Sequence, residues 1–257
     1  MRLRQVCLVA EKLAPTIETL AALLDSEICY RDPGISFFGL ENALLPLGTD
    51  FLEVVAPIEA DTAASRHLAR RGEGGYMLLL QCEDGVATRE HALAQGARAV
   101  WQNDENGIHA THFHPRSLPG AIVSLDSMEE PPGATGPGRR WDWAGPDWRT
   151  HLRANGILGL AGARIAAPEP AALAERWSAV LDLPVGSEPS PGIGLDNGAL
   201  VFGASSADDP IFCEFSLAHS DPDAVFARAE ELGLEQSGSA VDVAGIRIDL
   251  QPAAASH

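Results

Sequence analysis

The sequence predicts an α+β fold built from four tandem βαβββ units. They group into two paired halves, each an open cup of mixed sheet with flanking helices. Three observations carry this reading. The apolar pattern switches between strand and helix periods in the same order four times along the chain. Of the 257 residues, 46% are hydrophobic, enough to bury a proper core. A stretch rich in Pro, Gly and Trp, EEPPGATGPGRRWDWAGPDW (129–148), separates the first pair of units from the second.

The first unit opens with LRQVCLVA (3–10) as a strand. The next stretch, EKLAPTIETLAALLD (11–25), places Leu13, Ile17, Leu20 and Leu24 at helical spacing. Three strand candidates follow: EICYRD, ISFFGLENALLPLG and DFLEVVAP. The second unit repeats the order with GGYMLLLQC (74–82), the helix DGVATREHALAQGA (84–97) and ARAVWQ (97–102). It closes with the hairpin HATHFHPRSLPGAIVSLD (109–126).

A third copy starts at LAGARIAA (160–167), has PEPAALAERWSAVLDLP as its helix and closes with NGALVFGA. A fourth starts at PIFCEFSLA (210–218), has DPDAVFARAEELGL as its helix and closes with AGIRIDLQP. The expected division is therefore a pocket-bearing half over 1–128, a linker rich in Pro, Gly and Trp over 129–153, and a degenerate half over 154–257. The linker carries Trp141, Trp143 and Trp148. Three large aromatic rings in a connector imply packing between the halves.

Charge and cysteine usage exclude several classes. A formal charge of −18 argues against a nucleic-acid surface, which needs clustered Lys and Arg. Cys7, Cys29, Cys82 and Cys213 stand singly, mostly in apolar runs, as expected of reduced thiols in a cytoplasmic protein. The N-terminus has no signal-peptide pattern, and no apolar run approaches the ~20 residues of a membrane helix. The partner these features leave is a small molecule, without nucleic acid or membrane, bound by a monomer or homodimer. The glycine-containing turns RRGEGG and GLDNG lack phosphate-loop spacing. Arg70 and Arg71 either reach an anionic ligand or serve the end of a helix.

Four such units in pairs resemble the vicinal oxygen chelate superfamily, which includes glyoxalase I, extradiol dioxygenases and bleomycin resistance proteins. HPRSLPG followed by AIVSL resembles the corresponding turn and strand of methylmalonyl-CoA epimerase, where the strand ends in Glu. FGLENALLPLGTDFLEVVAP resembles bacterial glyoxalase-like proteins. The resemblance implies that four inward side chains, from the first and last strands of two units, hold one divalent ion.

Those positions fall on Gln5 in RQVCLVA, Glu53 in FLEVV, Met77 in GGYMLLLQ and Ser124 in AIVSL. Gln and Glu are acceptable ligands. A thioether and a neutral hydroxyl are poor ones for hard or borderline ions. The second half offers Gly162, Val201, Phe212 or Cys213, and Asp249, of which only Asp249 could ligate, so no metal is expected there.

Each residue also has an ordinary reading. Glu53 lies in an apolar strand, where a carboxylate must be paired, solvated or useful. Gln5 is equally well an ordinary polar strand residue, Met77 a core filler, and Asn42 a turn contact. Strand alternation puts His112 and His114 on one face and His109, Thr111 and Phe113 on the other, leaving open which face lines the cup. His114, before Pro115, fits a hydrogen-bonding role in the turn.

The reading for function is a glyoxalase-like protein with a degenerate metal site and no cofactor. It binds a small molecule in the N-terminal cup through Gln5, Asn42, Met77, His109, His112 and Ser124, with Glu53 as the candidate catalytic group. The alternative is a lyase, epimerase or dioxygenase dependent on a divalent metal (Zn, Ni, Mn or Fe) in a rearranged site of Gln5, Glu53 and His112. The sequence leaves open whether the protein is an enzyme. If it is, a glyoxalase-like lyase/isomerase or a dioxygenase is implied by the resemblance.

Overall fold

The computed structural model describes residues 1–130, 136, 138–187 and 189–253. Of the linker, 131–135 and 137 lie outside the described residues. The first module contains β1 (Arg2–Val9), α1 (Leu13–Leu24), β2 (Leu40–Leu47) and β3 (Asp50–Pro57), followed by α2 (Ala63–Arg71). The second contains β4 (Gly74–Gln81), α3 (Gly85–Ala94), β5 (Ala99–Asn103), β6 (Ile108–Phe113) and β7 (Ile122–Met128). The third is β8 (Ile157–Ala167), α4 (Pro170–Leu181), β9 (Val185–Gly186), β10 (Gly192–Leu195) and β11 (Gly198–Ala204). The fourth is β12 (Ile211–His219), α5 (Pro222–Glu231), β13 (Glu235–Ser237), β14 (Ala240–Val243) and β15 (Ile246–Pro252).

The fold class is as predicted: among the described residues the strands form two mixed sheets, of seven and eight strands, with few helices. The first module departs from the βαβββ pattern. EICYRD contributes only an isolated bridge from Tyr30 to Leu44. Pro33–Phe38 forms a 3-10 helix in place of the expected strand start. The cause is local: Asp32 accepts the Gly34 N–H at 2.8 Å, capping a turn whose first residue, Pro33, has a fixed φ and no N–H to donate.

In every module the first and last strands pair in parallel, and the registers are equivalent. Cys7 is opposite Glu53, Leu79 opposite Ser124, Arg164 opposite Val201 and Ser216 opposite Asp249. Because side chains alternate across a strand, a shared register fixes which positions of the four copies correspond.

The chain falls into two compact units. One joins the first and fourth modules (5–75 and 214–257, with 141–161), and the other joins the second and third (1–4, 76–140 and 162–213). In the former, α1 packs on β2, β3 and α5. Arg228 on α5 donates from Nε to the Leu23 carbonyl at 2.7 Å, satisfying a carbonyl near the end of α1. In the latter, Trp177 of α4 packs edge-on to Phe202 and donates its indole N–H to the Pro119 carbonyl at 3.1 Å.

All four cysteines are free thiols. No helix among the described residues is long and apolar enough to cross a membrane.

Candidate functional site

The Glu53 carboxylate sits on β3 beside β1, fully hemmed in. Gln5 donates from Nε2 to Glu53 Oε2 at 2.9 Å, and Asn42 on β2 donates from Nδ2 to Glu53 Oε1 at 2.6 Å. The chain of bonds extends at both ends. The indole N–H of Trp141 donates to Gln5 Oε1 at 2.8 Å, and the Asp32 backbone N–H donates to Asn42 Oδ1 at 2.8 Å. Glu53 is 6% exposed, and Gln5, Asn42 and Trp141 are buried more deeply still. Next to them Trp148 meets Phe51, the register partner of Gln5, edge-on at 5.1 Å. Two of the linker tryptophans therefore pack on the face that carries Gln5 and Glu53.

Burial drives the Glu53 carboxyl above its ordinary range, opposed by hydrogen bonds from Asn42, Cys7 and Gln5. The Cys7 thiol opposite it is pushed well up, first by burial and then by the Glu53 charge. The result is a carboxyl group with an amide donor on each oxygen. Sequence reasoning identified Gln5, Asn42 and Glu53, and the structure brings all three together. It missed Trp141 and Cys7 as members of the group. The only sequence signal for Trp141 was an aromatic residue in a connector that needed none.

The equivalent face of the second module is differently furnished. Met77 pairs with Ile122, and Leu79 pairs with Ser124. Ser124 in turn is opposite His112, which is opposite Trp101 on the edge strand β5. This face is the side away from α3. The α3 side carries His109 and Ser127, where the Gly85 N–H donates to Ser127 Oγ at 2.8 Å and a Cβ on Gly85 would collide with the His109 carbonyl. His109 therefore lies on the helix side, with Nδ1 2.9 Å from Asp104 Oδ1, while His112 shares the face of Ser124.

Ser124 is fully buried and donates to Asp126 Oδ1, itself fully buried on the same face. At this deep end Gln81 donates from Nε2 to the Arg140 carbonyl at 3.4 Å, and Arg4 donates from Nη2 to the Arg139 carbonyl at 2.9 Å. Towards the start of β4 the face becomes apolar and half-buried, with Met77, Ile122, His112 and Trp101. The His112 and Trp101 rings are 4.5 Å apart and tilted by 43°. Burial holds the His112 imidazole down to about 4, so it is neutral near pH 7. His114 accepts the Arg116 N–H on Nδ1 at 3.0 Å, a turn contact as its place before Pro115 suggested.

In the third module the position equivalent to Gln5 is Gly162. It has φ +148°, and a Cβ there would run into the Ala199 carbonyl, so no side chain can reach inward from it. In the fourth module the register assigns that position to Glu214, not to Phe212 or Cys213. Glu214 pairs with Arg247 at 3.4 Å, which also meets Asp242 at 3.3 Å. Asp249 accepts from Ser216 at 3.3 Å and from Ser239.

As arranged, the residues at the superfamily's metal positions do not fit a divalent ion. The Gln5 oxygen and both Glu53 oxygens are taken by N–H donors, and Met77 and Ser124 are poor ligands. Among the described residues no group of three or more His, Cys, Asp or Glu could hold a metal.

Comparison with known proteins agrees with this fold. A family model described as a glyoxalase-like domain matches residues 6–181. The chain belongs to that glyoxalase-like family, of the vicinal oxygen chelate superfamily. No curated protein matches the chain.

Among solved structures, a triple mutant of 4-hydroxymandelate synthase from Streptomyces coelicolor is 15% identical, with 91% of this chain and 75% of that one covered and a TM-score of 0.67. Methylmalonyl-CoA epimerase from Streptomyces coelicolor is 20% identical over 50% of this chain and 97% of its own, with a TM-score of 0.45. That of Mycobacterium tuberculosis is 21% identical over 50% and 88%, with a TM-score of 0.44.

Proposed function

We propose that this glyoxalase-like protein binds a small, partly apolar molecule in the cup of its N-terminal half, at a superfamily metal position that has become degenerate. The observation that supports this most is the closed chain Trp141–Gln5–Glu53–Asn42. It uses, in internal hydrogen bonds, the oxygens that a metal would need. Displacing Trp141 would leave the Gln5 carbonyl unsatisfied in a buried site, and a metal would have to compensate for that loss. Met77, His112 and the residues beside them remain as the half-open, apolar part of the face.

The test is elemental analysis of the purified protein after chelation and reloading with Zn, Ni, Mn or Fe. Sub-stoichiometric, weakly held metal is expected. Tight binding near one equivalent, lost in both Glu53→Ala and His112→Ala, would replace this reading with the divalent-metal enzyme built on Gln5, Glu53 and His112.

A second reading rests on Glu53 and requires that the Trp141 cover open to admit substrate. A carboxyl raised by burial and aligned by two amides has the chemistry of a general base acting beside a carbonyl. On that reading the wild-type protein incorporates solvent deuterium at the carbon next to the carbonyl of a ketone or thioester probe. Glu53→Gln slows this by about a hundredfold or more. Equal exchange rates in the two proteins would remove Glu53 from any catalytic role.

A further inference from the structure

We propose that the ligand of the half-open face is an uncharged planar aromatic compound, seated on Met77 and Ile122 with its edge against Trp101 and His112. This deepens the binding reading above and rests on it. The strand registers place these four side chains on one side of one sheet. Met77 is opposite Ile122, and one step along the strands Ser124 is opposite His112, which is opposite Trp101. Ile122 is thus the diagonal neighbour of His112, within reach of a bicyclic ring.

All four side chains are half-buried, whereas Leu79, Ser124 and Asp126, further along the same face, are buried. The surface accessible to a ligand is therefore the apolar and aromatic part, and the polar groups beyond it are already bonded to each other. The Trp101 and His112 rings, 4.5 Å apart and tilted by 43°, stand on the same sheet face as the aliphatic Met77 and Ile122. Two rings tilted in this way favour a rigid flat ring, which can meet one of them face-on and the other edge-on. The Met77 sulfur suits the same partner, since thioethers pack well against ring edges.

Charge decides between kinds of aromatic ligand. Met77 and Ile122 carry no charge, and His112 is held neutral at physiological pH by its burial. The chain as a whole carries −18, which repels anions. An aromatic carboxylate would therefore lose its hydration and gain no charge pairing from Met77, Ile122 or a neutral His112, while its uncharged analogue would lose little. Trp101 and Ile122 are new to the site. Nothing in the metal-position pattern points to either, because Trp101 lies on an edge strand and Ile122 is offset from Ser124.

The experiment is isothermal titration calorimetry with two probes of the same ring system, 2-naphthol and 2-naphthoate, against the full chain and its Trp101→Leu and Trp101→Phe variants. Circular dichroism confirms that each variant is folded. The expected result is 2-naphthol binding about tenfold tighter or more than 2-naphthoate. Trp101→Leu should weaken 2-naphthol by about tenfold, and Trp101→Phe should keep it within about threefold. Equal affinity for both probes, or binding that ignores Trp101→Leu, would overturn the aromatic, uncharged class and leave the binding reading standing. Absence of heat and of competition with either probe in the wild type would overturn both.

Discussion

Two equivalent faces of the first and second modules have reached opposite solutions. Gln5 corresponds to Met77 and Glu53 to Ser124, because Cys7 faces Glu53 as Leu79 faces Ser124. On the first module every polar atom of the pair is matched, and linker tryptophans bury the whole group. On the second the polar pair sinks beneath the surface, and the accessible part is apolar. The comparison teaches how residue type at equivalent positions decides whether a face closes. Buried Gln5 and Glu53 require partners, and their face is closed. Met77 and Ile122 require none, and their face stays half-open, because thioether and aliphatic groups tolerate contact with either water or ligand.

The largest predicted effect tests the closed face. Trp141→Ala removes a fully packed ring and the donor to Gln5, and should cost about 3–5 kcal/mol in denaturant unfolding. A loss below about 1 kcal/mol would mean that the linker lies loosely on this face. In that case the Glu53 end would be open to ligands, and the contrast between the faces would fail.

Asn42→Ala comes next. It removes the donor to Glu53 Oε1 and the acceptor for the Asp32 N–H, leaving a buried carboxylate with one fewer partner. The expected loss is roughly 2–3 kcal/mol. It should shrink as pH falls: Glu53 is already raised by burial, and losing a donor raises it further, so protonation relieves the variant more than the wild type. A pH-independent difference would show that Glu53 does not depend on Asn42 to hold its charge.

Much of this architecture was legible in the sequence. The four repeats and their helices follow from periodicity, and the resemblance to the superfamily pointed to Gln5 and Glu53. The repeats are set by local patterning, which the three-dimensional structure uses with one departure, in the first module. EICYRD misled because its residues have strand propensity, whereas the Asp32–Pro33–Gly34 turn just after it is decided by a single capping bond. The Trp141 bond to Gln5 joins residues 136 positions apart, and no sequence period encodes such a contact. The face occupied by each histidine became readable only once the position of α3 over His109 and Ser127 was known. The register also moved the fourth-module position to Glu214, an acid that sequence spacing had passed over.

The half-open face gives a pH signature of the opposite sign to that of Glu53. His112 is lowered by burial from 6.5 to about 4, so the unfolded chain binds the extra proton between those values. Stability should therefore be fully present above about pH 6.5 and fall as pH drops through that window, by at most roughly 3 kcal/mol given the ring's partial exposure. His67 is lowered to about 4 as well, by burial and then by Arg71 and Arg70, and contributes a slope of its own. The comparison of wild type with His112→Gln isolates the His112 share. An unchanged slope in the variant would place His112 in free solvent and remove it from the aromatic pair.

The smallest effect is the sharpest test of what the second face is for. Met77 is half-buried, so Met77→Leu, nearly equal in volume, should change stability by less than about 1 kcal/mol. A structural filler would show nothing further. A contact residue in a binding site would show a change in ligand affinity that exceeds the change in stability, since branching at Cγ alters the surface presented to a flat ring while the core is untouched. Measuring 2-naphthol affinity and unfolding midpoint on the same variant separates the two. If both stay at wild-type values, Met77 belongs to the scaffold, and the contrast with Gln5 reduces to one of burial alone.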